Sequence, residues 1–178
     1  MGLYLIETDV QADVQTQGAF EQAVEDVEKN LADAAFIEVQ VAADLKRAFF
    51  IFETEETEPV TKALNASGLP ASLVKEVRIV GQELEEAKKE REKINYLVEW
   101  NLPEDLTMDQ YLERKKKNSV HYAEVPEVSF SRTYVCEDMS KCLCFYDAPD
   151  DDSVLRAREA VKAPVDEITK LSDKSADK

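Results

Sequence analysis

The amino-acid sequence predicts an α+β fold built from two similar halves, and three observations support this prediction. First, "FIEVQVAADLKRAFFIFET", starting at Phe36, aligns without gaps with "FSRTYVCEDMSKCLCFYDA", starting at Phe130. Second, "LYLIETDV" at residues 3–10 resembles "NYLVEWNL" at residues 95–102. Third, strand-like and helix-like runs follow one another in each half in the order β-α-β-β-α-β. A register shared over so many positions indicates an internal repeat.

The elements of the first half follow from hydrophobic periodicity and from residues that begin or end helices. The first strand alternates in residues 3–6, and the next segment carries apolar residues at three- and four-residue spacing, which predicts an amphipathic helix. The polar turn "AADLK" then joins two strands. Pro59 suits the first turn of a second helix, and Pro70 ends that helix. The run "SLVKEVRIV" forms the last strand.

The second half repeats this order with its own sequence signals. "YLVEW" is the first strand, and "CEDMSK" is the polar turn of the hairpin. Asp152 or Ser153 suits the N-cap of the second helix, and Pro164 ends it. "VDEITKL" is the last strand. This element order is that of the ferredoxin-like split βαβ fold.

The domain boundaries follow from the repeat and from changes in composition. We expect a first ferredoxin-like repeat at residues 1–80 and a second at residues 94–171. Residues 81–93 are rich in charge and lack an apolar face, which predicts a helical linker. Residues 172–178 are expected to form a disordered tail.

The charge balance restricts the classes of partner. With 38 acidic and 22 basic residues among 178, the net charge is −16, which opposes binding to nucleic acid and to anionic membranes. The basic run "ERKKKN" at residues 113–118 is interpreted as the solvated face of a helix. The start "MGLYLIETDV" enters a strand directly, and no apolar stretch is long enough to span a membrane, so a cytoplasmic location is expected.

All three cysteines of the chain lie in "CEDMSKCLC" at residues 136–144. Alternation along the strands, with Cys136 placed opposite Cys142, predicts that all three thiols lie on the sheet face away from the helices. Arg132, Tyr134 and Tyr146 are predicted on that same face. Such an aromatic face is expected to be buried. We therefore predict that the two repeats pack face to face as an intrachain pseudo-dimer resembling a dimeric α/β barrel.

The cysteine cluster permits three interpretations. Cys136, Cys142 and Cys144 could bind a soft transition metal such as nickel or zinc, with His121 as a fourth ligand or as a purely structural histidine. The thiols could also be small buried hydrophobic groups. A Cys136–Cys142 disulfide is the third interpretation, which a reducing compartment disfavours.

The sequence resembles a small bacterial nickel-binding ferredoxin-like family, formerly a domain of unknown function. The resemblance rests on the segments Tyr96–Glu99, Arg132–Val135, Leu143–Pro149 and Lys162–Pro164, and on Gly68–Pro70 in the first repeat. It implies a dimeric α/β barrel and nickel binding, with Cys144 at a family position.

The chain also departs from this family at three positions. A histidine common in the family's second helix is replaced by Ala157, and by Ala63 in the first repeat. Phe50 replaces the family cysteine in the first repeat. At most one of the two sites is therefore expected to remain.

Three functional hypotheses follow from the sequence. The first is a cytoplasmic metal-binding protein that buffers or senses a nickel-like ion without catalysis. The second is a small-molecule-binding or catalytic barrel, whose cleft would be lined by Arg132, Tyr134, Tyr146 and Glu99; Glu7 and Glu99 recur as carboxylates that suit acid–base work. The third is an interaction or scaffold module with an unidentified protein partner.

Overall fold

A computed structural model describes residues 2–31, 34–80 and 94–171. The predicted linker at 81–93 and tail at 172–178 lie outside the described residues. The chain divides into two compact units, Met1–Val77 and Arg78–Lys178. In the described part of the chain, none of the helices combines the length and apolar character that a bilayer crossing requires.

The first unit contains four strands and two helices, with the unit boundary inside the fourth strand. They are β1 (Gly2–Asp9), α1 (Gln17–Lys29), β2 (Ala35–Val41), β3 (Arg47–Thr54), α2 (Glu58–Ala66) and β4 (Ala71–Val80), with a short 3-10 turn at Ala12–Val14. The strands are antiparallel and lie in the order β2-β3-β1-β4.

The second unit has the same element order. It contains β5 (Tyr96–Asn101), α3 (Met108–Asn118), β6 (Ser129–Cys136), β7 (Lys141–Asp147), α4 (Asp151–Ala160) and β8 (Glu167–Lys170), with a 3-10 segment at Ser119–Glu124. Its antiparallel strands lie in the order β6-β7-β5-β8. The predicted β-α-β-β-α-β order is therefore observed in both units.

Side-chain caps fix where several helices begin. The Thr16 hydroxyl accepts a hydrogen bond from the Ala19 backbone N–H at 3.2 Å, and α3 begins with a reciprocal capping box between Thr107 and Gln110. Pro59 lies in the first turn of α2, as the sequence predicts. The cap of α4 is Asp150, two residues earlier than predicted, because its carboxylate accepts from the Ser153 backbone N–H at 2.8 Å.

The register of the β6–β7 hairpin differs from the sequence prediction by one residue. Val135, not Cys136, lies opposite Cys142. The reason is a turn of four residues rather than five, in which Met139 adopts a positive φ of 61° and its N–H bonds to the Cys136 carbonyl at 2.9 Å. The first unit has the same turn, with Leu45 at φ 61° in the equivalent place.

A shift of one residue exchanges the two faces of a strand, so part of the predicted sidedness is wrong. Cys142, Cys144 and Tyr146 face the helices and pack with residues of α3 and α4. Cys136 and Tyr134 keep the opposite face, because the alternation of β6 is as predicted. The first unit has the same arrangement, in which Phe50 and Phe52 of β3, and Phe36 of β2, pack on the helix side.

Both faces of each sheet are buried. On the face away from the helices, Leu5, Phe49 and Ile51 in the first unit are at most 1% exposed. Leu97, Leu143 and Phe145 have the corresponding positions in the second unit and are equally buried. The expectation that this face is shielded from water is therefore confirmed, although the residues that form it are partly different.

The hairpin ends also carry an ion pair in each unit. Glu7 Oε1 lies 2.8 Å from Arg47 Nη2, and Glu99 Oε1 lies 2.8 Å from Lys141 Nζ. Both carboxylates are nearly buried, where a charge requires a partner of opposite sign. The repeated glutamates therefore join the first strand of each unit to the second strand of its hairpin.

Gly68 provides a test of this architecture. It follows α2 with a φ of +80°, and a Cβ placed there would lie 2.7 Å from Val14 Cγ2. We expect Gly68→Ala to lower the free energy of unfolding by about 1–3 kcal/mol. Gly18→Ala is the matched control, because Gly18 lies in α1 with no atom within 4 Å of its Cβ position. It should raise stability by up to about 1 kcal/mol in the same urea titration; equal effects of the two variants would contradict this assignment.

Candidate thiol–arginine site in the second unit

Cys144 lies at the centre of a buried polar cluster between the sheet and the helices. Its Sγ accepts a hydrogen bond from Thr133 Oγ1 at 3.2 Å and another from Arg158 Nη1 at 3.3 Å. Thr133 is directly opposite Cys144 in the β6–β7 ladder. The register that turns Cys144 toward the helices therefore also places the Thr133 hydroxyl beside its sulfur. The Cys144 side chain is only 1% exposed.

Arg158 brings a positive charge into this cluster. It follows Val154 and Ala157 on the inward face of α4, so its guanidinium enters the core, and the residue is 2% exposed. Nη1 donates to the Tyr146 hydroxyl at 3.0 Å, and Nη2 donates to the Pro164 carbonyl at 2.6 Å. A buried arginine needs such partners, and an anionic thiolate is the strongest of them.

Cys142 and Cys144 are neighbouring thiols whose pKa values are shifted in opposite directions. The hydrogen bond from Cys142 lowers the pKa of the Cys144 thiol well below its usual value, and the cations Arg158 and Lys115 lower it further. The same hydrogen bond, together with burial, raises the pKa of Cys142 well above its usual value. The surroundings therefore favour the thiolate form at Cys144 and the thiol form at Cys142.

Three tyrosines complete the cluster. The hydroxyls of Tyr122 and Tyr146 lie 2.6 Å apart, and Tyr111 hydrogen-bonds Cys142. Burial raises the pKa of Tyr122 to about 12 and also raises the pKa values of Tyr111 and Tyr146. All three phenols are therefore protonated at neutral pH, and the Tyr146 hydroxyl also accepts a hydrogen bond from Arg158.

The four predicted metal ligands do not converge. Cys136 is buried on the opposite face of the sheet, where burial raises the pKa of its thiol. His121 lies in the 3-10 segment, 41% exposed, with Nδ1 bonded to Glu124 Oε2. Only Cys142 and Cys144 are adjacent. Among the described residues, no group of three or more His, Cys, Asp or Glu side chains could hold a metal ion.

The alternative Cys136–Cys142 disulfide is not formed, and the four residues suggested for a cleft do not share one face of the sheet. All three cysteines are free, and Cys136 and Cys142 lie on opposite faces, so they cannot be joined without refolding the hairpin. Arg132, Tyr134 and Glu99 face away from the helices, whereas Tyr146 faces them. These four residues therefore cannot line one cleft.

The sequence analysis missed the residues that surround the thiols. Arg158 could have been found from the sequence, because helical periodicity places it on the buried face of the helix next to Ala157. Arg114 and Lys115 belong to the run interpreted as a solvated helix face, yet both line a cleft beside the cluster. Arg114 is exposed, as that interpretation predicts, and Lys115 is partly buried, but both also line the cleft on the side of α3 where Arg158 lies.

This cleft gives the cluster an opening. Its walls include the rings of Trp100, Tyr111 and Tyr122 and the cations Arg114, Lys115 and Arg158. The volume is about 30 Å³, which accommodates about two water molecules or the head group of a small ligand.

Part of the second unit matches a known protein family. Residues 96–171 match the nickel-responsive SCO4226-like protein family. The match begins at the first residue of β5, ends just after β8, and includes Cys142, Cys144 and Arg158. The resemblance recognised in the sequence is thereby confirmed for this part of the chain. SCO4226 from Streptomyces coelicolor A3(2) aligns at 18% identity over 42% of this chain and 90% of its own length, with a TM-score of 0.36.

Other solved structures resemble the whole chain. A protein provisionally named chlorite dismutase TA0507 aligns over 97% of this chain and 96% of its own, with 12% identity and a TM-score of 0.56. A provisionally assigned monooxygenase from Lactobacillus acidophilus NCFM aligns over 96% and 93%, with 10% identity and a TM-score of 0.53. At these identities the likeness shows the fold alone, that of the dimeric α/β barrels. No curated protein sequence matches this chain.

The protonation of Cys144 depends on Arg158 and can be tested directly. Arg158→Met removes a cation that favours the thiolate, so we expect the midpoint of thiolate ultraviolet absorbance to move to higher pH. Arg156→Met is the matched control, because Arg156 lies on the same helix and pairs with Glu127 at an exposed position. An unchanged midpoint in Arg158→Met, measured on protein with native circular dichroism, would contradict the assignment.

The same lowered pKa has a consequence for stability. Cys144 is a thiolate in the folded protein and a thiol in the unfolded chain over the interval between its two pKa values. The unfolded state therefore binds more protons there, so Cys144 makes stability rise with pH up to about 9. We expect this slope, measured by urea unfolding below pH 9, to be smaller in Cys144→Ser. A slope as steep as that of the unaltered protein would refute the buried thiolate.

Proposed function

We propose that this protein is a non-catalytic, metal-responsive protein that reversibly binds a soft transition-metal ion such as Ni²⁺ at Cys142 and Cys144. The match of residues 96–171 to a nickel-responsive family supports a metal-related role. We choose Cys142 and Cys144 because their thiols are adjacent in β7 and because the pKa of Cys144 is lowered toward the thiolate form.

The protonation of the pair suits metal uptake. Thiolates, not thiols, bind soft metal ions, and the surroundings of Cys144 favour its thiolate form before any ion arrives. Binding by Cys142 releases its proton, so the affinity should rise with pH. Thr133 and Arg158 hold the Cys144 sulfur in place from two sides.

The composition of the site favours exchange over permanent retention. Two protein ligands are fewer than the four of a structural site. The Arg158 guanidinium, 3.3 Å from the Cys144 sulfur, repels a second cation. Both effects weaken binding, as buffering or sensing requires. Cys136 and His121 have no part in this site, because one lies on the other sheet face and the other faces outward.

The location follows from the same chemistry. Two adjacent thiols remain available to a metal ion only where thiols stay reduced, so we propose a cytoplasmic location.

A metal titration with cysteine variants tests the proposed function. Metal-free, reduced protein purified without a histidine tag should bind one Ni²⁺ per chain in equilibrium dialysis and develop a thiolate-to-metal absorbance band. The double variant Cys142→Ser/Cys144→Ser should lose both signals, because serine hydroxyls do not replace thiolates as soft ligands.

Cys136→Ser is the matched control, since it removes a buried thiol from the same hairpin but from the other face. It should bind Ni²⁺ like the unaltered protein, and so should His121→Asn. The proposal fails if the double variant keeps its binding while its circular dichroism is native, or if Cys136→Ser abolishes binding.

We also infer that the chain supplies both halves of a dimeric α/β barrel, as a pseudo-dimer of two ferredoxin-like repeats. The likeness of the whole chain to proteins of that fold supports this inference.

A pseudo-dimer does not need a second chain. Sedimentation equilibrium should therefore give a particle of 20.1 kDa, the mass of one chain. A particle of twice this mass, unchanged on dilution, would contradict the inference.

A further inference from the structure

The cleft beside Arg158 is unusual for this chain because its lining is cationic. Arg114, Lys115 and Arg158 contribute to it, and no carboxylate does. The chain as a whole carries 38 acidic against 22 basic residues. A shallower depression next to the cleft shares Arg114 and adds Lys117 and Lys162, with Glu113 as its acidic residue. Positive charge is therefore concentrated at one place on an acidic protein, where it would attract an anion.

The cations of the cleft are not neutralised by neighbouring carboxylates. The Arg114 guanidinium lies 5.4 Å from the centre of the Trp100 ring and donates to the Lys162 carbonyl. Lys115 Nζ lies 4.3 Å from the centre of the Phe130 ring. In the described part of the chain neither side chain forms an ion pair, so both charges remain available to a ligand.

Arg158, which also lines the cleft, has an unsatisfied donor. Its two Nη atoms bond to Cys144, Tyr146 and Pro164, but its buried Nε has no hydrogen-bond partner among the described residues. Leaving a buried donor unpaired costs free energy that a bound acceptor would recover. A carboxylate, with two acceptor oxygens in one plane, fits the geometry of a guanidinium.

The other walls indicate what the anion carries. Trp100, Tyr111, Tyr122, Val161 and Ala163 give the cleft a largely apolar and aromatic lining. Tyr122 and Ala163 are only partly buried, so an organic acid would cover their remaining apolar surface, which an inorganic anion would not. The volume of about 30 Å³ restricts the inserted group to a small one.

We propose that this cleft binds a small organic carboxylate, with its charged group between Lys115 and Arg158 and its apolar part against Trp100. The site is separate from the proposed metal-binding thiols in its ligands, although Arg158 contacts both. The test below uses metal-free protein, so it measures the anion site without the metal.

Trp100 provides the measurement, because it is the single tryptophan of the chain and lies in the cleft wall. Benzoate is the probe, added to metal-free full-length protein at constant ionic strength. We expect a saturable change in tryptophan fluorescence. Benzyl alcohol, which is similar in size and uncharged, should give no saturable change at the same concentrations.

Two substitutions on neighbouring residues of α3 make the test specific. Lys115→Gln should weaken benzoate binding about tenfold, because it removes one charge-assisted hydrogen bond. Lys116→Gln removes the same charge at an exposed position outside the cleft lining and should change the affinity less than twofold. Neither variant alters Arg158, whose replacement could unfold the core.

Three results would overturn the proposal. They are a response to benzyl alcohol equal to that of benzoate, equal weakening by the two lysine variants, and tighter binding of inorganic phosphate than of benzoate. The absence of any saturable fluorescence change, together with no shift in melting temperature, would equally refute it.

Discussion

The register of one β-hairpin determines the chemistry of the second unit. A four-residue turn with Met139 in the left-handed region places Val135 opposite Cys142, and every side chain of β7 then has a fixed face. With a turn one residue longer, Cys142 and Cys144 would face away from α4 and could not meet Arg158. The same turn in the first unit, with Leu45 in the same conformation, indicates that the backbone sets this register whatever side chains it carries.

The buried charge of Arg158 explains why the site is a connected cluster rather than a set of isolated groups. A guanidinium in a core is tolerated only if its donors find acceptors, and Cys144, Tyr146 and the Pro164 carbonyl provide them. The low pKa of Cys144 follows from the hydrogen bond with Cys142 and from this charge, whereas burial raises the pKa values of Tyr122 and Tyr146 against the effect of the charge. The proposed metal site and the proposed anion cleft therefore share an electrostatic origin.

The sequence was sufficient for the order of the elements because hydrophobic periodicity, helix-ending prolines and the repeat all agree. It did not show which side chains of the hairpin strands face the helices. Apolar residues occupy both odd and even positions of "KCLCFYD", because a strand buried on both faces has no alternation of polar and apolar residues. The site depends on those faces, so Cys144 was identified by composition while Arg158 and Tyr122 were not. His121 was included only as the single histidine, and its position on a short 3-10 segment is not encoded in any periodic pattern.

The internal repeat also assigns four residues of the cluster an equivalent position in the first unit. Ala48, Phe50, Phe52 and Leu64 lie where the second unit has Cys142, Cys144, Tyr146 and Arg158. The first unit therefore packs the same positions with apolar side chains alone. Apolar replacement of buried charged groups is often neutral or stabilising. The polar cluster is not required by the fold, so selection for folding alone would be expected to erase it.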